Sequence, residues 1–253
     1  MARLPLRLLS ILAFFAVWAA VAAVADRAEV PGPLAVAAFL AREAADGTLA
    51  HHLSVTLARV AAAFLIAMSI GTAIGVLMGQ HPRVDRLLDP WIILLLNMPA
   101  LVVIVLCYIW IGLTEAAAVT AVAVNKIPNV VVTLREGARA LDAGLAEMAQ
   151  VFRFPRLRLL RHVVLPQLLP FLAAAGRSGL ALIWKIVLVV ELLGRSNGVG
   201  FQIHLYFQLF DVAAILGYAL AFVCVMLLIE FLVVQPLETH ANRWRPGAQA
   251  RAA

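Results

Sequence analysis

The chain has 253 residues, of which 64% are hydrophobic and only 13% charged, with a formal net charge of +6. A water-soluble domain carries about 25% charged and about 45–50% apolar residues, so polar side chains here are too few to cover a globule of this length. Bilayer must cover much of the surface, which excludes a soluble enzyme or nucleic-acid module and makes the positive charge a matter of membrane orientation.

The expected fold class is an all-α membrane protein with six transmembrane helices. Apolar runs predict spans at about 5–25, 54–79, 89–112, 114–134, 168–193 and 213–235, each near the ~20 residues a helix needs to cross ~30 Å of hydrocarbon. The runs are too long, and too little alternating, for barrel strands. Arg3, Arg7 and the Ala23-Val24-Ala25 stretch also fit a cleaved leader, but an apolar run of about 18 residues exceeds the usual ~7–15, so the span is expected to be retained. Residues 1–49 then hold the first span and an outer linker, 50–235 the core domain, and 236–253 an inner tail.

Lysine and arginine set the orientation. With the N-terminus inside, inner segments hold Arg3, Arg7, Arg83, Arg86, Arg135, Arg139, Arg153, Arg156, Arg158, Arg161, Arg243, Arg245 and Arg251, whereas outer segments hold Arg27, Arg42 and Arg195, with Arg59 undecided near the start of span two. The positive-inside rule selects this topology, with both termini in the cytoplasm.

In span two, Gly71, Gly75 and Gly79 recur every fourth residue and form a ridge that admits a neighbouring helix, with packing inside one subunit the expected use. Ala175 and Gly179 make a weaker ridge in span five. Pro99 and Pro128 sit inside spans three and four beside Asn97, Asn125 and Asn129. Proline frees a carbonyl, and freed carbonyls and amides are tolerated only against protein or a wet cavity, so this set is a candidate pathway lining. Kinks that bend helices around a core are the plainer alternative.

The loop after span four is charged and basic. A helix over about 141–152 places Leu141, Leu145, Met148 and Phe152 on one side, and Pro155 opens a second short helix that carries Arg156, Arg158 and Arg161. Pro166 then begins the return into the membrane. Two short helices meeting at a corner suit docking into a partner's groove.

This loop resembles the EAA motif of bacterial ABC importer permeases. Glu147, Met148 and Ala149 stand in its first three places, Val163 in its aliphatic place and Leu165-Pro166 at its end, while Arg153 stands where the family has glycine. Leu87-Leu88-Asp89-Pro90, Ile127-Pro128, Val190-Glu191-Leu192-Leu193-Gly194 and Asn242-Arg243-Trp244-Arg245-Pro246 extend the resemblance to the nitrate, sulfonate and taurine permeases. The resemblance implies a homodimer with the type I ABC importer permease fold and a cytoplasmic coupling-helix loop in the inner membrane. It further implies two ATPase subunits and a periplasmic or lipid-anchored solute-binding protein. Glu147, Met148, Ala149, Phe152, Arg153, Pro155, Leu165 and Pro166 become the ATPase-coupling residues. The chain has no G-x-x-x-x-G-K-[ST] loop, so it binds no cofactor of its own, and ATP and Mg belong to the partner.

Ionisable groups inside spans are functional candidates by default. Lys126 and Lys185 are expected to face the central cavity and help pass an anion, with Asn97, Pro99, Asn125, Asn129 and Glu191 along the same pathway. An ion pair with a neighbouring span is the plainer role for either lysine. Arg177 lies roughly 80° from Lys185 around a helix, close enough to share its face. Glu230 reads as a partner for cytoplasmic arginines, and His51 and His52 as a solvated linker. The histidines have no metal-ligand spacing, and Cys107 and Cys224 read as packing thiols in apolar runs. A membrane-embedded enzyme lacks a nucleophile–base pair here, and a secondary transporter lacks an evident inverted repeat. The expected solute is a sulfonate-, taurine- or nitrate-like oxyanion, with a pyrimidine or aromatic compound as the alternative.

Overall fold

The computed structural model describes residues 3–25 and 29–242, and among these all regular structure is helical. The helices are α1 (Arg3–Val24), α2 (Pro33–Ala45), α3 (Thr48–Gln80), α4 (Pro82–Asn97), α5 (Ala100–Ile111), α6 (Glu115–Arg139), α7 (Ala143–Val151), α8 (Arg156–Gly194), α9 (Val199–Gln208) and α10 (Val212–Leu237), the last running on helically to Asn242. Arg27, Arg243, Arg245 and Arg251, with the ending at 243–246, lie outside the described residues.

Local chemistry starts these helices where they start. Pro33 opens α2 and Pro82 opens α4, where a missing N–H costs nothing. Thr114 caps α6 by accepting the Ala117 N–H at 3.1 Å, and Glu115 follows in the first turn, favoured by the helix dipole. Asp211 caps α10 by accepting the Ala214 N–H at 3.0 Å.

The helices α3, α6, α8 and α10 are long and apolar enough to cross a membrane, and α4 with α5 passes that test only as a pair bent by 100°. Among the described residues the count by length is therefore four, or five with the bent pair, against the six expected. The first helix contributes a shorter apolar stretch, Leu9–Val24. The run expected as one span over 89–112 is broken, and Pro99 is the reason. A proline disfavours helix at the residue before it, and Met98 is extended at φ −76°, ψ 126°. Asn97 closes α4 by donating its side-chain amide to the Ile93 carbonyl at 2.8 Å. Short helices α2 and α9 escape any search for twenty-residue apolar runs. Trp91 and Trp110 are exposed, as are Leu87, Leu94 and Ile109, the outward-facing apolar surface a bilayer solvates.

By internal packing the chain divides into two units, Met1–Leu57 with Glu191–Leu227, and Ala58–Val190 with Leu228–Ala253. In the first, the Trp18 indole donates to the Pro31 carbonyl at 3.0 Å, and Phe39 packs edge-on to Tyr206 and Tyr218. The Tyr218 hydroxyl donates to Glu43 at 2.5 Å, satisfying a phenol with no exposure.

The second unit is built on Val60, Ala63, Ile104, Ala118, Ala121, Val122, Ile183, Val187 and Val190, all buried. The glycine ridge of α3 lies against α6 in the same subunit. A Cβ at Gly71 would lie 2.6 Å from Val130 Cβ, at Gly75 2.6 Å from the Val131 carbonyl oxygen, and at Gly79 2.6 Å from Ala138 Cβ. Lipid is as apolar as leucine, so close backbone approach and dispersion hold such helices together rather than burial from water. Charges finish the α4–α6 contact: Arg135 meets Asp89 at 2.5 Å and Asp85 at 3.3 Å, and Arg139 meets Asp85 at 2.5 Å.

Candidate functional site

The charged segment between α6 and α8 folds into a corner. Asp142 caps α7 by accepting the Gly144 N–H at 2.7 Å, while the Gln167 side-chain oxygen accepts the Asp142 N–H at 2.9 Å and ties the loop to α8. At the far end the Phe154 N–H donates to the Ala149 carbonyl at 2.9 Å, a six-to-one closure of the Schellman kind. Arg153 sits inside that closure at φ +49°. The residue in the glycine place thus adopts the left-handed backbone that glycine favours, at a cost of about 1–2 kcal/mol. The turn is made by Arg153 itself, and Pro155, extended at ψ 149°, then leads into α8.

The corner shows an apolar edge to solvent. Met148 and Leu145 are partly uncovered, Val151, Phe152 and Leu157 strongly so, and Glu147, Arg153, Pro155, Leu165 and Pro166 are exposed around them. Ala149 is buried at 3%, and Val163 at 6%. The expected four-residue face loses one member, because Leu141 turns inward and packs with Val130, Leu134 and Leu168.

The second short helix needs correction. Instead of ending at Pro166, α8 runs unbroken for 39 residues. A π-turn over Leu160–Val164 precedes the proline, with the Leu165 N–H reaching back to the Leu160 carbonyl. Such a widened turn relieves the clash a proline ring makes with the turn before it.

The polar residues within the spans are dispersed. The Asn125 side chain donates to the Ala121 carbonyl at 2.8 Å, the Asn129 carbonyl accepts from the Thr133 hydroxyl at 3.0 Å, and both are half-buried. Asn97 and Pro99 are exposed at the α4–α5 break. Lys185 is exposed, its ammonium 5.5 Å from the Trp184 ring centre. Lys126 is 2% exposed and lies inside the subunit against Gly179. Glu230 pairs with Arg177 on α8 at 3.3 Å, not with the loop arginines.

Glu191 is fully buried in a clamp that sequence reasoning missed. The Thr56 hydroxyl donates to Glu191 Oε2 at 2.9 Å, and the Gly200 N–H donates to the same oxygen at 2.8 Å. The Val199 N–H donates to Thr56 Oγ1 at 2.8 Å, and the Gly198 N–H to His52 Nδ1 at 3.0 Å. Three side chains thus take up the free N–H groups at the start of α9, where a carboxylate is favoured by the dipole. His52 is 8% exposed, which overturns its reading as a solvated linker. Because its Nδ1 accepts, the proton sits on Nε2, 2.6 Å from the Gln202 amide. Two donors cannot face each other, so the amide presents its oxygen there. The available signal was the His52/Thr56 pair at i, i+4, one turn apart on α3.

The family model for binding-protein-dependent transport system inner membrane components matches residues 71–239. The chain belongs to this family. It is a membrane component of the ABC transporter permease class rather than an enzyme. The putative aliphatic sulfonates transport permease of Bacillus subtilis (strain 168) is 32% identical over 174 residues, 69% of this chain and 63% of that protein. The taurine transport system permease of Escherichia coli (strain K12) is 28% identical over 201 residues, 79% of this chain and 72% of that protein. The bicarbonate transport system permease of Synechococcus elongatus is 26% identical over 210 residues, 78% and 75% respectively. The chain spans slightly less than two thirds of the length of the sulfonate permeases it matches.

Two solved structures share the permease fold. A chain of the inward-facing MetNI methionine ABC transporter aligns with a TM-score of 0.61 at 19% identity, over 72% of this chain and 92% of that one. A chain of an amino acid ABC transporter crystallised with histidines gives 0.63 at 20%, over 80% and 98%.

Proposed function

We propose that this permease is one of two identical membrane subunits of an ATP-driven, binding-protein-dependent importer for a small oxyanion. The single observation that carries the reading is the α7–α8 corner within the family match. Apolar side chains stand out at a sharp turn among arginines, in a chain with no nucleotide loop of its own. A partner ATPase binding ATP and Mg grips Met148, Phe152 and Leu157 in a groove, while Glu147, Arg153 and Pro155 set the edge and Ala149, Leu165 and Pro166 fix how the corner joins the membrane part. Nucleotide then biases two arrangements of the spans, as a coupling device must. The positive-inside rule supports a cytoplasmic place for this corner and for both termini, with α1 as a sixth span.

The relatives named for sulfonates, taurine and bicarbonate support an oxyanion as solute. Asn97 and Pro99 at the α4–α5 break, Asn125 and Asn129 on α6, and the exposed Lys185 are the pathway candidates. Glu191 contributes by holding the end of α8 to the start of α9, since its carboxylate is fully enclosed.

The test is to co-express the tagged chain with an ATPase and a binding protein encoded beside it, and to identify the ligand that co-purifies on the binding protein. A stoichiometric ATPase and a bound oxyanion are expected. A chain that purifies without any ATPase, or a neutral pyrimidine on the binding protein, contradicts the class or the solute respectively.

A further inference from the structure

Lys126 lies midway along α6 with 2% exposure. Its slot is made by Gly179 on α8, where a Cβ would fall 2.8 Å from Lys126 Cε and 3.7 Å from the Phe64 ring. A side chain at 179 would press on the far end of the lysine and make it shift, so the small residue and the long cation share one slot.

The acids of the same unit that lie beside the spans are engaged by arginine: Glu115 by Arg59, Glu230 by Arg177, and Asp85 and Asp89 by Arg135. Among the described residues, Lys126 has no ion pair. An enclosed ammonium without a counter-charge is costly in a bilayer, and such groups mark ion and substrate routes. The chain has only two lysines, 126 and 185, while every other fixed positive side chain is an arginine. Arginine thus does the pairing, and Lys126 is left for something that comes and goes.

We propose that Lys126, seated against Gly179, is the binding group for a small oxyanion in transit, its ammonium meeting a sulfonate or carboxylate-like head. The proposal rests on the importer reading and adds the group that selects charge. The lysine as a whole is 2% exposed, so the anion is expected to reach its ammonium when α6 and α8 separate there, in one of the nucleotide states.

Having two lysines allows a direct test on the unsubstituted protein. The full transporter is assembled with lysine-labelled permease in lipid vesicles, and the two side-chain nitrogen resonances are followed by solid-state NMR, Lys185→Arg serving for assignment. Methanesulfonate is titrated at constant ionic strength against gluconate, in nucleotide-free and ATP-trapped particles. A saturable shift of the Lys126 signal in at least one state, whatever Lys185 does as a further pathway candidate, is expected. Silence at Lys126 in both states, or a shift there that gluconate produces equally, overturns the proposal. Separately, Lys126→Met is expected to keep ATP hydrolysis stimulated by the binding protein while lowering anion uptake at least tenfold, whereas unchanged uptake removes Lys126 from the route. Failure of the ATPase to assemble at all sinks the importer reading instead.

Discussion

The carboxyl group of Glu191 fills the space that a side chain at Gly198 would need. A Cβ at 198 would fall well inside contact distance of that carboxyl, and the backbone there stands at φ +105°, a conformation few residues but glycine adopt. Gly198→Ala is expected to destabilise the protein by about 2–4 kcal/mol through overpacking and backbone strain together. Glu191→Ala removes the obstruction, so the double variant is expected to lose less than the sum of the two single losses. Melting curves of the four detergent-purified proteins check this, and strict additivity would contradict the contact.

The glycine ridge of α3 makes a second prediction. Gly75→Leu drives a side chain into the Val131 carbonyl and the Leu134 side chain on α6. Overpacking of about 1–3 kcal/mol or more is expected, seen as a lower melting temperature and a smaller monodisperse yield. Gly47→Ala serves as a contrast: no atom lies within 4 Å of its Cβ position, so only its strained φ of +76° should register.

At the corner, Arg153→Gly places the residue with the least backbone cost at φ +49°. The substitution is expected to raise local stability by about 1 kcal/mol, read as slower amide exchange at the α7 terminus. Faster exchange there would show that the arginine side chain, rather than the backbone turn, holds the corner.

Gln202→Leu leaves the His52 Nε2–H without an acceptor in a buried place. A loss of about 1–3 kcal/mol is expected, and Gln202→Glu, which keeps an oxygen in position, should retain more of the stability. Equal losses in the two variants would mean that His52 does not donate to residue 202.

Much of the architecture was legible in the chain, for local reasons. Apolar runs located α3, α6, α8 and α10, and the Gly71/Gly75/Gly79 spacing marked a packing face of α3 inside the subunit without naming α6 as its partner, because both signals repeat along one helix. What failed depended on partners distant in sequence. His52 looked solvated beside a linker, yet its partners Gly198 and Gln202 lie about 150 positions away. Leu141 carried the right spacing for the corner's outer face, but α8 covers it with Leu168. Pro99 was visible as a kink, whereas its strength was not, since a proline can bend a helix slightly or break it by 100° according to what packs around it. Arg153 was seen as a departure from glycine, and only the backbone showed that it takes the left-handed conformation glycine favours.

Cross-linking from the corner tests the central claim most directly. Single cysteines are placed at Met148, Phe152 and, as a control on α4, Leu87, after Cys107 and Cys224 are replaced. In the assembled transporter, positions 148 and 152 are predicted to cross-link to the ATPase in high yield, with yields that change on ATP binding, and position 87 is not. An assembled particle that contains the ATPase but gives no cross-link from either 148 or 152 would contradict the account.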